Sequence, residues 1–355
     1  MRADEPDPYP AYARLVAERP FGLDDTGLWI AASAAAVEAV LTAPAGRVRP
    51  AAEPVPRGIV GTPAGAVFGG LARMTDGAPQ ARLKSALLKA LGTVDAARVE
   101  ALAHTAAHAA RTADELQFDV PARVVATLLG LDAGQSAEAA ALIGDFVRCI
   151  PATATTQDNT AAAAAAEKLL GLLGPHLRDD SDSLLGALVR AAGAAESPLL
   201  PANAVGLLSQ TFDATAGLIG NTLLALAREP EPDDLTAFVT EVARHDAPIQ
   251  NTRRFTAEDT DVLGHHLPAG SAVLVLLAAA NRDPAANPDP HVFRPGRERT
   301  KIYTFGLGAH RCPGQVLATA IAVGVVRAVR ERGATAVLET YRPSANARIP
   351  VLRTG

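Results

Sequence analysis

Apolar residues recur at three- and four-residue intervals along most of this chain, at 34–41, 81–91, 95–111, 161–173, 183–192, 202–228, 235–245 and 314–331. A stripe at that spacing falls on one face of an α-helix and has to be buried against another element. The alanine run 161–166 belongs to the pattern, because alanine carries the lowest cost in a helix. Strand-like runs are short, at 27–31, 261–263, 273–277 and 334–339, each beside turn residues. The expectation is a mainly α fold with a small antiparallel β portion. No Ser/Gly/Pro-rich linker or low-complexity tract divides the 355 residues, so one domain over 1–355 is expected although the chain exceeds the common size of a single core.

Composition removes several classes of function. A net charge of -5 with scattered basic residues argues against a nucleic-acid surface. The two cysteines, Cys149 and Cys312, lie far apart, which disfavours a disulfide framework and fits a reducing cytoplasm. Residues 1–8 are acidic and proline-rich, without the basic start and apolar stretch of a signal peptide. The longest apolar region, 204–227, is interrupted by Gln210, Asp213 and Asn221, so it reads as a buried central helix and no membrane association is expected. The eight histidines show no ligand spacing, and His265-His266 reads as an exposed turn beside Pro268. Ser209 has no G-x-S-x-G elbow around it, and no phosphate loop is present. Trp29 reads as sheet core, and Gly69-Gly70 as part of a flexible loop.

The chemistry concentrates in Phe305-Gly306-Leu307-Gly308-Ala309-His310-Arg311-Cys312-Pro313-Gly314. Glycines at 306, 308 and 314 allow a sharp turn whose backbone approaches a flat cofactor closely, with one thiolate projecting from it. An isolated cysteine is most often a small buried hydrophobe. Here the offsets of Phe305, Gly306, Gly308, His310 and Gly314 favour a ligand instead.

The run has the form F-G-x-G-x-H-x-C-x-G, and at every defined position it resembles the haem-binding signature of the cytochrome P450 family. The resemblance runs from about Asp7 to the C-terminus and looks bacterial in its opening residues 7–15. It implies the family fold and haem b (iron protoporphyrin IX), with Cys312 as the metal ligand and Phe305, Gly306 and Gly314 shaping the loop. Haem propionates need cationic or hydrogen-bonding partners. His310 and Arg254 occupy such places, as do Gln80 and Lys84, which stand where the family carries H-x-x-x-R and depart from it at both ends.

Glu241-Val242-Ala243-Arg244 has the E-x-x-R spacing that puts a carboxylate and a guanidinium on one helix face. The resemblance implies a buried Glu241–Arg244 network joined by Arg297, supporting the haem loop. Residues 281–284 and 288–290 follow the bacterial pattern and read as structural. The stretch 229–240 is abbreviated relative to the family, implying a shortened helix.

On the central helix the family shows A/G-G-x-D/E-T-T, an acid and a threonine that relay protons to bound oxygen. This chain reads Gln210-Thr211-Phe212-Asp213-Ala214-Thr215. Asp213 aligns with the acid and Ala214 with the relay threonine. Thr215 lies about 100° further round the helix and cannot take over without a local bulge. Thr211 replaces a glycine. Thr211, an ordered water, or a hydroxyl or amide on the substrate would then supply the relay; hydroxylation and oxidative coupling both stay open, with oxidation or intramolecular coupling of an activated group favoured more than in most relatives. Phe212 and Ile249 are the expected pocket residues, with further contacts from 54–68 and 151–161.

The resemblance thus implies a soluble haem-thiolate oxidoreductase. It would take electrons from an external ferredoxin and NAD(P)H reductase and oxidise a small-molecule or carrier-bound natural product in secondary metabolism. The alternative is a catalytically retired relative that helps a biosynthetic partner.

Overall fold

A computed structural model describes residues 4–354. The helices are α1 (Tyr9–Glu18), α2 (Ala34–Thr42), α3 (Pro63–Gly70), α4 (Gly77–Leu91), α5 (Ala96–Ala109), α6 (Val120–Leu128), α7 (Ala133–Val147), α8 (Thr156–Leu173), α9 (Leu184–Ala191), α10 (Leu200–Leu226), α11 (Leu235–His245), α12 (Leu277–Asn281) and α13 (Gln315–Glu331). The strands are β1 (Phe21–Leu23), β2 (Trp29–Ala31), β3 (Gly46–Arg47), β4 (Thr252–Thr256), β5 (Thr260–Val262), β6 (His265–Leu267), β7 (Ala272–Val275), β8 (Ala336–Tyr341) and β9 (Pro350–Thr354). Helix starts follow local chemistry. Asp132 and Thr155 close capping boxes on α7 and α8, and the Asp234 carboxylate accepts from the first amides of α11. The mainly α fold expected from periodicity is the fold observed.

The chain divides into two compact units. Unit 1 runs to Ala51, continues over Gly217–Gln315 and resumes at Val329. It holds all the strands. Its main sheet has the order β1-β2-β7-β4-β3, and every pairing in the described chain is antiparallel except β2 with β7, where Trp29 lies opposite Val273. Trp29 is buried and stacks on Phe21 with ring centroids 5.3 Å apart, in a core that takes Val37, Val40 and Leu41 from α2 and Val273 and Val275 from β7. His265 and His266 lie on β6, not in a turn, because the reversal falls at Leu263 and Gly264, both with positive φ. Arg348 ties distant segments of this unit together. It donates to Asp246 at 2.9 Å and to the carbonyls of Glu5 and Pro6 at 2.6 and 2.9 Å, and it lies 3.7 Å over the Tyr341 ring.

Unit 2 comprises Ala52–Ala216 and Val316–Ala328 and is helical. Gly69 and Gly70 end α3 and are packing positions, contrary to the loop expected: a Cβ on Gly70 would stand 2.9 Å from that of Ala202. Just before α6 the chain makes a π-helical turn over Glu115–Asp119. Among the described residues no helix is long and apolar enough to cross a membrane. The helix expected to be shortened within 229–240 begins only at Leu235, and residues 227–234 are not helical.

Candidate functional site

The site is built outward from α11. Inside unit 1 the Arg244 guanidinium donates to both Glu241 oxygens, Nε to Oε2 at 2.8 Å and Nη2 to Oε1 at 2.6 Å. Arg297 Nε reaches Glu241 Oε1 at 3.1 Å, and the Arg294 amide donates to the same oxygen at 2.8 Å. Burial pushes the Glu241 carboxyl upward, but the bonds from Arg244, the Arg294 amide and Arg297 outweigh it and hold the group below its ordinary value. Arg244 spends its remaining donors on the carbonyls of Asn281, Pro290 and Val292 at 3.2, 2.8 and 3.2 Å. The structure therefore brings Glu241, Arg244 and Arg297 into one buried cluster that pins the segment 281–297.

Asn281 carries that order to the cysteine loop. Its Oδ1 accepts from the Tyr303 amide at 2.6 Å, and its Nδ2 donates to Thr304 Oγ1 at 2.8 Å. The Thr304 hydroxyl donates to the Ala243 carbonyl of α11 at 2.6 Å, and the Tyr303 carbonyl receives the Gly306 amide at 2.7 Å. Asn281 and Thr304 are buried. Sequence reasoning took Asn281 only as part of a structural motif and did not single out Thr304; an uncharged amide and hydroxyl give no local signal until the fold brings them together.

In the loop itself, Gly306 and Gly308 adopt φ of +66° and +63°, the left-handed region that glycine enters without penalty. At Gly308 a Cβ would also stand 3.0 Å from the Leu41 carbonyl. The Cys312 amide donates to the Phe305 carbonyl at 2.7 Å, closing the turn, and the Cys312 side chain emerges exposed while Cys149 is buried. A Cβ on Gly314 would lie 3.9 Å from Cys312 Sγ, so glycine there keeps the ground beside the sulfur bare. His310 closes a short 3₁₀ turn in this loop and is partly buried. Arg254 is buried on β4, with Nη1 on the Arg253 carbonyl at 2.8 Å. An exposed soft thiol beside bare glycine, with a guanidinium and an imidazole in the same unit, is a donor set that fits a thiolate-ligated, anionic macrocycle.

Ile249 bridges to Ala347 and packs against the sheet core of unit 1. In unit 2, Gln80 is buried and Lys84 half-buried, one turn apart on α4. Across residues 210–215, α10 is an unbroken α-helix. Leu207, Gln210, Thr211 and Ala214, at helical spacing, form a partly exposed stripe beside exposed Asp213. Thr215 points the other way: it is 1% exposed, and its Oγ1 finds no hydrogen-bond partner among the described residues. Without a bulge, Thr215 does not share the face of Ala214. Thr211 does share it, but its hydroxyl donates to the Leu207 carbonyl at 2.8 Å. Gln210, which sequence reasoning quoted without a role, stands on the same stripe, with its amide nitrogen 3.0 Å from the Gly206 carbonyl. Phe212 packs on Phe118 with centroids 4.9 Å apart and is only partly exposed.

Comparison with known proteins agrees with this site. The Cytochrome P450 family profile matches residues 234–323, the segment that holds the Glu241 cluster and the cysteine loop. The 6-deoxyerythronolide B hydroxylase of Saccharopolyspora erythraea is 33% identical over 217 residues, covering 58% of this chain and 54% of the relative. The aligned part of the chain thus spans about half the length of the curated relatives it matches. Solved structures are similar over nearly the whole chain. Cytochrome P450 CYP109Q5 from Chondromyces apiculatus has a TM-score of 0.81 at 26% identity, covering 98% of this chain and 94% of that one. P450BioI, solved in complex with an acyl carrier protein bearing hexadec-9Z-enoic acid, has a TM-score of 0.84 at 21% identity, covering 98% and 97%. Sequence likeness over the functional segment and fold likeness over almost every residue converge on the bacterial members of the cytochrome P450 family.

Proposed function

We propose that this protein is a haem-thiolate monooxygenase or oxidase of a natural product, with Cys312 as the iron ligand. The observation that carries the reading is the exposed Cys312 thiol at the mouth of a glycine turn, held from behind by the Glu241–Arg244–Asn281 relay of hydrogen bonds. Haem b, when bound, supplies reductive activation of dioxygen, which its thiolate ligand assists. Arg254, His310, Gln80 and Lys84 are assigned to its propionates, and Phe305, Gly306 and Gly314 to the walls of the ligand loop. Electrons would come from an external ferredoxin and reductase. A substrate presented on a carrier protein is part of the proposal, since one fold neighbour is solved in that state.

The residues assigned to proton handling act as follows. Asp213 is exposed and can exchange protons with solvent. Ala214 offers only a methyl group. Thr211 already donates to Leu207, so it can accept a hydrogen bond from a water but must give up its backbone partner to pass a proton on. Water held by Thr211 and Gln210 is then the route, a weaker arrangement than a dedicated hydroxyl. A chain retired to a helper role is the second reading, favoured by that deficit and disfavoured by the intact thiol loop.

The test is the absorption spectrum of the reduced carbon monoxide complex, in the purified protein and in Cys312→Ser. A thiolate-type band in the former and its loss in the latter is the expected result; retention of the band in the variant would remove Cys312 as ligand. Titration with candidate metabolites, free and carrier-bound, then separates the readings. A saturable low- to high-spin shift supports the enzyme, and no shift with a full complement of haem supports the helper.

A further inference from the structure

Helix α5 carries His104 and His108 one turn apart, a pairing that the search for ligand spacing in the sequence passed over. Their Nε2 atoms stand 3.3 Å apart, with ring centroids separated by 4.6 Å and planes at 77°. That distance permits one hydrogen bond between the rings in a matching pair of tautomers. It equals the separation of two imidazole nitrogens each about 2.05 Å from one ion and subtending the tetrahedral angle, about 3.3 Å; ligands at a right angle would be about 2.9 Å apart. The bite is compatible with tetrahedral zinc, for which imidazole is a common ligand.

The helix beneath the pair is clamped. Ala103 and Ala107, on its inner face, are fully buried. Gly324 of α13 comes so close that a Cβ on it would stand 2.4 Å from the Glu100 carbonyl oxygen and 3.0 Å from the His104 amide nitrogen. Arg327 ties the same stretch through Glu100 at 3.1 Å. A rigid backbone fixes the two Cβ positions before any ion arrives, so only side-chain torsions remain to be ordered on binding. His104 is half-buried and His108 exposed, so an ion and its water ligands can reach both.

We propose that His104 and His108 form a bidentate zinc site on α5. Bound zinc would staple the last turn of the helix, which ends at Ala109. The experiment is calorimetric titration of zinc chloride into the purified haem-loaded protein and into His104→Ala, His108→Ala and, as a control elsewhere on the surface, His176→Ala. The expected result is saturable binding of one equivalent, weakened about tenfold or more in each of the first two variants and unchanged in the third. Zinc should also raise the melting temperature of the parent and of His176→Ala but not of the other two. An unchanged haem spectrum and far-ultraviolet circular dichroism show that the variants fold. Wild-type zinc affinity in either His104→Ala or His108→Ala, or no saturable binding by the parent, would overturn the site.

Discussion

Glu241 accepts hydrogen bonds from two guanidiniums and a backbone amide while almost fully buried, and this makes it the residue whose loss unit 1 can least absorb. Glu241→Gln leaves the Arg244 charge buried against a neutral amide, so a loss of about 3–5 kcal/mol is expected, read as a lower urea midpoint at unchanged slope. Because the folded carboxyl titrates below its ordinary value, its stabilisation is present above the unfolded pKa and disappears as pH falls through the folded one. At Ala214 the expected effect is on coupling, not stability. Ala214→Thr should lower hydrogen peroxide released per NAD(P)H consumed and raise product; an unchanged ratio would mean that another route carries the proton. The thiol loop, the E-x-x-R pair and Arg297 were legible as residues because charge, glycine and sulfur each demand particular surroundings. Asn281, Thr304 and Gln210 were not, since their roles exist only in contacts made across the fold.

At the scale of elements, legibility followed length. The 3.6-residue stripe located α2, α4, α5, α8, α9, α10, α11 and α13 to within a few residues. It missed α1, α6, α7 and the five-residue α12, and it missed α3, whose glycines read as a loop. Strands of two to five residues are too short to show alternation, and β1, β3, β4, β6 and β9 went unseen. The parallel pairing of β2 with β7 could not be anticipated from strands so far apart in sequence. Close approach between elements is likewise invisible in sequence and testable in the fold. Gly324→Ala would force a Cβ to 2.4 Å from the Glu100 carbonyl, and a loss of about 1–3 kcal/mol is expected by thermal denaturation.

For the molecule as a whole, the pH response has a second source besides Glu241. His245 accepts from Arg282 Nη2 on Nδ1 at 3.1 Å, so Nε2 carries the proton donated to the His291 carbonyl at 2.9 Å. Burial first, and the neighbouring Arg282 next, push its pKa down to about 4. The unfolded ring takes up a proton near pH 6.5 and the folded one only near 4, so this contribution is complete above the upper value and lost progressively between the two. His245→Gln should flatten the dependence of the urea midpoint on pH across that window; an equally steep dependence would place the effect elsewhere. His245 also lines a cavity of about 600 Å³ with Tyr9, Asp246, Arg282, Tyr341 and Arg348, and no residue of the thiol loop is in its wall.

The bonds that Arg348 makes to the carbonyls of Glu5 and Pro6 have a consequence for the order in which the protein can be made. Unit 2 is nearly continuous and lacks only its short stretch from α13 once residue 216 has emerged from the ribosome, whereas unit 1 is assembled from three separated segments. Arg348 follows Glu5 by 343 residues and Pro6 by 342. The segment at Glu5 and Pro6 therefore waits, unclasped, until Arg348 has been made. Folding during translation can start in unit 2 before the last segment of unit 1 is available.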